Sequence, residues 1–441
     1  MAQRVQPRVP RGMRDILPEK MILRQYVVGI IQEVFEAFGF EPLATPAVEL
    51  MDTLMGKYGP EADKLLYHVG HEGGKEELGL RYDLSVPLCR VVAMYPQLIK
   101  PFKRYQIAPV WRAERPQKGR YREFWQCDAD SVGSASMLAD AEILSIIYEI
   151  LTRLRFEKFI TRLNNRKILK GIGQFSGVPK EQLDGLYRSI DKLEKIGLEG
   201  VKEELRKNGI AEEVIVRLLE LLSIQGENRT LLAEMRRLLA EFPIALEGLA
   251  ELEEIMDYLE AMGLPESFIQ IDFSMVRGLE YYTGPIYETV VEEPRIGSIT
   301  GGGRYDELVG MFSGKNIPAT GTTIGIERII DVMDELKLFP AEVGRTVTEV
   351  LVTVFAPEMV KESLRLVQEM RREGLRAEIY FESDSLGRQI RYASQKGIPY
   401  AIILGPDELA AGKVSVRNLE LGEQRTAERA RLVEVIRGWG G

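Results

Sequence analysis

What most constrains this chain is an interruption. Strand-like text at 101–112 and 120–132, and again at 268–292, is separated by a stretch from about 175 to 262 in which Leu, Glu, Lys and Arg dominate and nearly everything reads as helix. The breaks in that stretch fall at Gly197, Gly200, Gly209, Gly226, Pro243 and Gly263. A sheet cannot run through such text. The composition shift therefore marks an inserted all-helical module between two pieces of one mixed domain. The insert is also acidic: residues 180–260 carry 19 acidic and 11 basic side chains, which nearly accounts for the net charge of −9.

The flanking text can be read in the same way. Residues 18–40 have apolar side chains at helical spacing and should form an amphipathic helix ending near Gly39, followed by an extended segment stopped by Pro42 and Pro46. Residues 78–95 and 101–112 alternate short β-like runs with helical pattern, and RYREFWQCDADSV at 120–132 alternates like a half-buried antiparallel strand. Helical period returns at 137–156. After 292 come the glycine-rich GSITGGGRYDELVGMF and then TGTTIGIERIIDVMDEL, while residues 340–347 read as a linker. Beyond it TEVLVTVFA, a helix at 357–373, AEIYF, a helix at 386–396, YAIILG and KVSVRNL alternate β and α units, as a separate α/β domain would.

At 441 residues two to four domains are expected, at roughly 100–200 residues each. No apolar run approaches the ~18–20 residues of a membrane span. The N-terminal MAQRVQPRVPRG is basic and has no apolar core of a secretion signal. Cys89 and Cys127 lie far apart without a C-x-x-C partner, which excludes a disulfide scaffold or cysteine-rich zinc site and fits a reducing cytoplasm. His68 and His71 are the only histidines, so chemistry needing several is excluded, and no second ligand cluster supports a metal beside them.

Against the acidic mean, residues 100–125 hold eight Lys or Arg and two Glu, which points to one localised anion site. Within it, Arg112-Ala113-Glu114-Arg115, the loop Pro116–Gly119 and Arg120-Tyr121-Arg122-Glu123-Phe124 look like two strands joined by a short basic loop. Arginines there offer planar forks to phosphate or carboxylate oxygens. A solvated surface hairpin is the plainer alternative, but Tyr121, Phe124 and Trp125 interleave with the arginines and favour one working face. Three further groups stand out. Arg277–Gly284 contains a tandem Tyr281-Tyr282 that could line a pocket or a core. Gly301-Gly302-Gly303-Arg304-Tyr305-Asp306 permits close backbone approach, or a tight turn. Gly321–Arg328 runs from strand into helix, with Gly325 flat enough for a base or sugar and Arg328 placed for phosphates. None is a dinucleotide fingerprint or a P-loop.

In this order the groups resemble the class II aminoacyl-tRNA synthetases. The helix and strand ending at Pro46 resemble motif 1, Arg112 with its loop and strand motif 2, and Gly321–Arg328 motif 3. Arg277–Gly284 and Gly301–Asp306 resemble the two signatures of the histidine-specific branch, and the likeness runs from Arg11-Gly12-Met13-Arg14-Asp15, through Leu80–Ser85, to about Ile436. The resemblance implies an α+β fold: an antiparallel sheet of six to seven strands flanked by helices, an all-α insertion reaching toward tRNA, and a C-terminal α/β anticodon-binding domain. The boundaries would be 1–174 and 263–340 for the two catalytic parts, 175–262 for the insertion and 346–441 for the last domain. It implies ATP-dependent attachment of histidine to its tRNA in the cytoplasm, by a homodimer, with no tightly bound cofactor and with Mg2+ accompanying ATP.

Carried over by motif position, Arg112 would bridge the histidine carboxylate and the α-phosphate, with Arg277 opposite. Arg120 and Arg328 would hold outer phosphates and adenine. Asp83 and Ser85 would take the α-amino group with Gln126, and Asp130 and Tyr282, with Tyr281 beside them, would read the imidazole. The chain departs from the family pattern at Glu280, Trp125 and Glu307, where Asp, His or Tyr, and Gly are usual; Glu280 bears on how Arg277 is placed. A regulatory paralogue of the same body, serving ATP phosphoribosyltransferase, would lack the C-terminal domain and the arginine set that this chain has.

Overall fold

The computed structural model describes residues 5–56, 63–116, 119–224, 226–276, 281–341 and 343–440. Two compact units divide the chain. One holds the residues up to Asp15 with Val27–Leu338, the other Ile16–Tyr26 with the residues from Phe339 onward.

The first unit contains strands β1 (Glu41–Pro42), β2 (Val48–Leu50), β3 (Tyr67–Val69), β4 (Leu78–Leu80), β5 (Phe102–Trp111) and β6 (Glu123–Val132). It continues with β7 (Phe159–Asn165), β8 (Ile269–Ile271), β9 (Pro285–Val291), β10 (Thr300–Arg304) and β11 (Ala319–Ile324). Eight of them form one sheet in the order β1-β5-β6-β11-β10-β9-β7-β8, and β2-β4-β3 form a small antiparallel sheet. The six inner strands of the large sheet are antiparallel, whereas β1 joins β5 and β8 joins β7 in parallel. The expected six to seven strands thus become six plus two short parallel edges. Parallel pairing needs a long crossover, and each edge has one: the text between β1 and β5, and the inserted helices between β7 and β8.

Those helices are Leu183–Ile190, Leu193–Lys207, Glu212–Leu222, Asn228–Leu238 and Pro243–Ala261. The last packs on helices Met137–Arg153 and Arg166–Ser176 and on β7 and β9. Lys167 Nζ fastens it through Glu247 at 2.6 Å and Glu251 at 2.5 Å.

Two readings of the central strands need correction. The alternation of β6 suggested a half-buried strand, yet its last seven residues are all buried. It lies between β5 and β11; Cys127 and Ala129 belong to its apolar set, and the polar set Gln126, Asp128 and Asp130 lines a cleft instead of meeting bulk water. The triple glycine is no turn: Gly301–Gly303 run through β10, between β9 and β11. Close approach explains them, because a side chain on Gly302 would collide with the Gly321 carbonyl, and one on Gly321 with the Asp130 carboxylate. Arg304, which ends β10, is structural. Its Nη1 donates to Ser134 O at 2.9 Å, Nη2 to Ser136 O at 3.0 Å and Nε to Asp140 at 3.1 Å, tying the start of helix Met137–Arg153 to the sheet.

The second unit has β12 (Val350–Val352), β13 (Ala377–Ile379), β14 (Tyr400–Ile403), β15 (Lys413–Asn418) and β16 (Gln424–Glu428), in the order β13-β12-β14-β15-β16. The first three are parallel and the last two antiparallel. Leu366, Val367 and Met370 of helix Val360–Arg372 pack against Val350, Val352, Ile402, Val414 and Val416. The helix read at 386–396 is Leu386–Lys396. Among the described residues no helix is long and apolar enough to cross a membrane.

Candidate active site

One large cleft, about 2140 Å³, opens along the first unit's sheet. Nine of the ten residues singled out from the sequence line it: Asp83, Ser85, Arg112, Arg120, Gln126, Asp130, Tyr281, Tyr282 and Arg328. The tenth, Arg277, lies outside the described residues together with Gly278–Glu280.

The cationic part of the lining is built where β5 leaves the sheet and the chain returns into β6. Arg112 follows the last residue of β5; its Nε donates to Tyr82 O at 2.9 Å, and its guanidinium lies 5.0 Å from the Phe124 ring centre. Arg120 is exposed and faces Glu114 across 3.6 Å. Arg328 sits in the first turn of helix Ile326–Glu335, where Nη1 donates to Ser298 O at 2.6 Å. Beside it Glu327 is ion-paired with Arg14, whose guanidinium stacks 3.6 Å above Tyr121. The N-terminal text thus lies along the returning arm, and Arg122 N donates to Gly12 O at 2.8 Å.

Another part of the lining is buried and acidic. Asp83 accepts from Val86 N at 3.1 Å and so anchors the start of helix Ser85–Met94. Gln126 Nε2 donates to Thr323 Oγ1 at 3.2 Å, and Thr323 in turn bonds Asp128. Asp130 Oδ2 is 2.7 Å from Arg104 Nη2, with side-chain exposures of 3% and 0%, and its Oδ1 accepts from the Tyr305 hydroxyl. Burial, only partly offset by Arg104, pushes the Asp130 carboxyl above its ordinary value and raises Asp128 to about 7. Burial likewise drives the Tyr281 and Tyr305 phenols far upward, so both keep their protons as donors. Tyr281 and Tyr282 stack with ring centres 4.4 Å apart, and Tyr281 meets Tyr305 edge-on at 5.8 Å.

Sequence reasoning missed Arg104, Asp128, Tyr305 and the Arg14–Glu327 pair. Asp128 had a signal, since period-2 alternation puts it on the face of Gln126 and Asp130. Tyr305 was part of a quoted motif, but nothing local shows that it reaches β6. Of the departures, Trp125 lines the cleft and Glu307 is exposed.

The family model for histidyl-tRNA synthetase matches residues 12–329, and one for an anticodon binding domain matches 349–439. The chain belongs to the histidyl-tRNA synthetase family. A histidine–tRNA ligase of Porphyromonas gingivalis is 44% identical, over 98% of this chain and 99% of its own. One from Aeropyrum pernix is 43% identical over 98% of each. The crystal structure of a histidyl-tRNA synthetase from a Nostoc species superposes with a TM-score of 0.89 at 34% identity, covering 98% of this chain and 99% of that one.

Proposed function

We propose that this cleft joins L-histidine to ATP as histidyl-adenylate with release of diphosphate, and that the chain then passes the histidyl group to tRNA(His), releasing AMP. One observation supports the assignment of roles: residues scattered from 83 to 328 line a single cleft that combines arginines with buried carboxylates and phenols.

The histidine carboxylate is already ionised when it attacks the α-phosphate in line, so this step needs no general base. It needs alignment and positive charge around the pentavalent phosphorus. Arg112 lies between the histidine carboxylate and the α-phosphate, with Arg277 on the other side. Arg120 and Arg328 hold the outer phosphates and adenine. Asp83, Ser85 and Gln126 receive the α-amino group, and Asp130, Tyr281 and Tyr282 enclose the imidazole. Among the described residues no group of three or more His, Cys, Asp or Glu side chains gathers as a metal centre. Mg2+ is expected to accompany ATP as part of the nucleotide substrate.

The helices at 175–262 serve the acceptor side of tRNA and residues 346–441 its anticodon. The working form is a homodimer in the cytoplasm. ATP–diphosphate exchange with each of the twenty amino acids tests the reading. Exchange with histidine alone, together with charging of tRNA(His), is expected. Exchange with another amino acid, or none with histidine, would overturn it.

A further inference from the structure

The carboxylate nominated from the sequence to read the ring, Asp130, has both oxygens in contact within the protein: Oδ1 accepts from the Tyr305 hydroxyl, and Oδ2, though without a hydrogen bond, is ion-paired with Arg104. Its neighbour two residues earlier on the same face of β6 differs. Asp128 is 3% exposed, lines the cleft, and its Oδ1 has no hydrogen-bond partner among the described residues. A buried ionisable oxygen left unpaired is costly, so it is retained where a ligand completes it.

We propose that Asp128 is a specificity residue whose Oδ1 accepts the ring N–H of the substrate imidazole. The inference rests on the reading of this cleft as the histidine-activating site. It adds a residue to that site.

The surroundings decide which donor Asp128 meets. The α-ammonium end already has Asp83, Ser85 and Gln126, and Gln126 Oε1 is itself buried and free to accept there. Asp128 stands on β6 between Gln126 and Asp130, on the face that lines the same cleft as the two tyrosines. The groups facing it are Asp130 on its own strand, Arg104 from β5, Asp83 from the loop before helix Ser85–Met94, and Thr323 from β11. Thr323 steadies the carboxylate through one hydrogen bond and leaves the second oxygen for the ligand. Arg104 cannot serve both acids equally, since its close contact is to Asp130. The negative charge left over suits a ring that donates an N–H and carries partial positive charge.

The test compares three substrates in ATP–diphosphate exchange: histidine; 1,2,4-triazolylalanine, which keeps a ring N–H but is a weaker base; and 2-thiazolylalanine, which has no ring N–H. Wild-type enzyme should prefer the two N–H rings. Asp128→Asn, which preserves shape, should lower kcat/KM for histidine roughly 10- to 100-fold through KM, with little change for thiazolylalanine. Asp128→Ala should collapse the preference further. Because the ratio between substrates does not depend on the fraction of folded enzyme, a partly unfolded variant still answers. An equal loss for all three substrates would place Asp128 at the α-amino group or in the scaffold and overturn the proposal, as would no loss at all. Wild-type enzyme inert toward histidine would instead remove the function reading on which the proposal stands.

Discussion

Two parts of the cleft lining hold charge in opposite ways. In the part proposed for the phosphates Arg120 has 56% of its side chain exposed, and its paired acid, Glu114, lies 3.6 Å away. In the part proposed for histidine Arg104 and Asp130 are 0% and 3% exposed and 2.7 Å apart. An exposed pair of this kind is worth about 0–1 kcal/mol, so Arg120 can exchange Glu114 for a phosphate at little cost. A buried pair cannot be exchanged, since losing one member strands the other. An exchangeable pair would suit the proposed ligand whose charge is rearranged during reaction. A fixed pair would suit the proposed ring, which must be recognised but not altered.

The contrast is broken most directly at Arg104. Arg104→Met should destabilise the first unit by about 3–5 kcal/mol, because Asp130 loses its cation while still buried. Arg120→Met should shift stability by less than about 0.5 kcal/mol. Urea unfolding of both variants measures the difference, and equal midpoints would mean that the two parts are not held differently.

Arg112→Ala sharpens it from the other side. If this arginine balances charge chiefly at the pentavalent phosphorus, kcat for exchange should fall about 10²–10³-fold, with KM for histidine changed far less. Its preference among ring analogues should persist, because no ring contact is assigned to it. A loss confined to KM for ATP would make Arg112 a ground-state clamp.

The same contrast separates what was legible in the sequence from what was not. That Arg112, Arg120 and Arg328 share one cleft was readable because they sit in local motifs, two strands beside a basic loop and a strand turning into a helix, and local text fixes local geometry. The helix at 386–396 was readable for the same reason. The buried acidic lining depends on contacts across the sheet. Arg104 was counted in a basic stretch and read as part of an anion site, yet its register partner on β6 is Asp130. Gly301–Gly303 read equally well as a turn, because only the neighbours Gly321 and Asp130 reveal why a side chain is forbidden. Alternation marked one face of β6 as polar, but periodicity cannot tell water from a closed cleft. The parallel edges depended on where the long crossovers end, which no window of sequence reports.

A smaller effect is expected at Asp130. Asp130→Asn keeps the shape and one acceptor but removes the charge behind the ring. Histidine activation should weaken by about 1–3 kcal/mol, while KM for ATP stays nearly unchanged. Unaltered histidine kinetics would assign Asp130 to the scaffold alone and leave Asp128 as the carboxylate that recognises the ring.

The smallest expected effect is a slope with pH. Burial foremost, then the nearby Asp130 and Asp83 charges, raise the Asp128 carboxyl to about 7, against the pull of Arg104 and Thr323. In the unfolded chain an Asp titrates near roughly 3.9. Between these values the folded protein binds more proton than the unfolded one, so stability must fall as pH rises. The contribution is fully present below about 4 and is lost as pH passes through about 7. Asp130 and Asp140 are raised in the same sense, so the wild-type slope alone cannot be assigned to one residue. The difference between wild type and Asp128→Asn can. An amide has no proton to lose, so the variant should equal wild type near pH 4 and grow relatively more stable toward pH 8. Urea midpoints across that range measure it in the absence of substrate. Saturating histidine should narrow the gap at pH 8, because the ring N–H then meets the carboxylate that the wild type keeps charged. A gap that does not change with pH would mean that Asp128 already holds its charge comfortably in the free enzyme, and the buried part of the lining would then need no ligand to complete it.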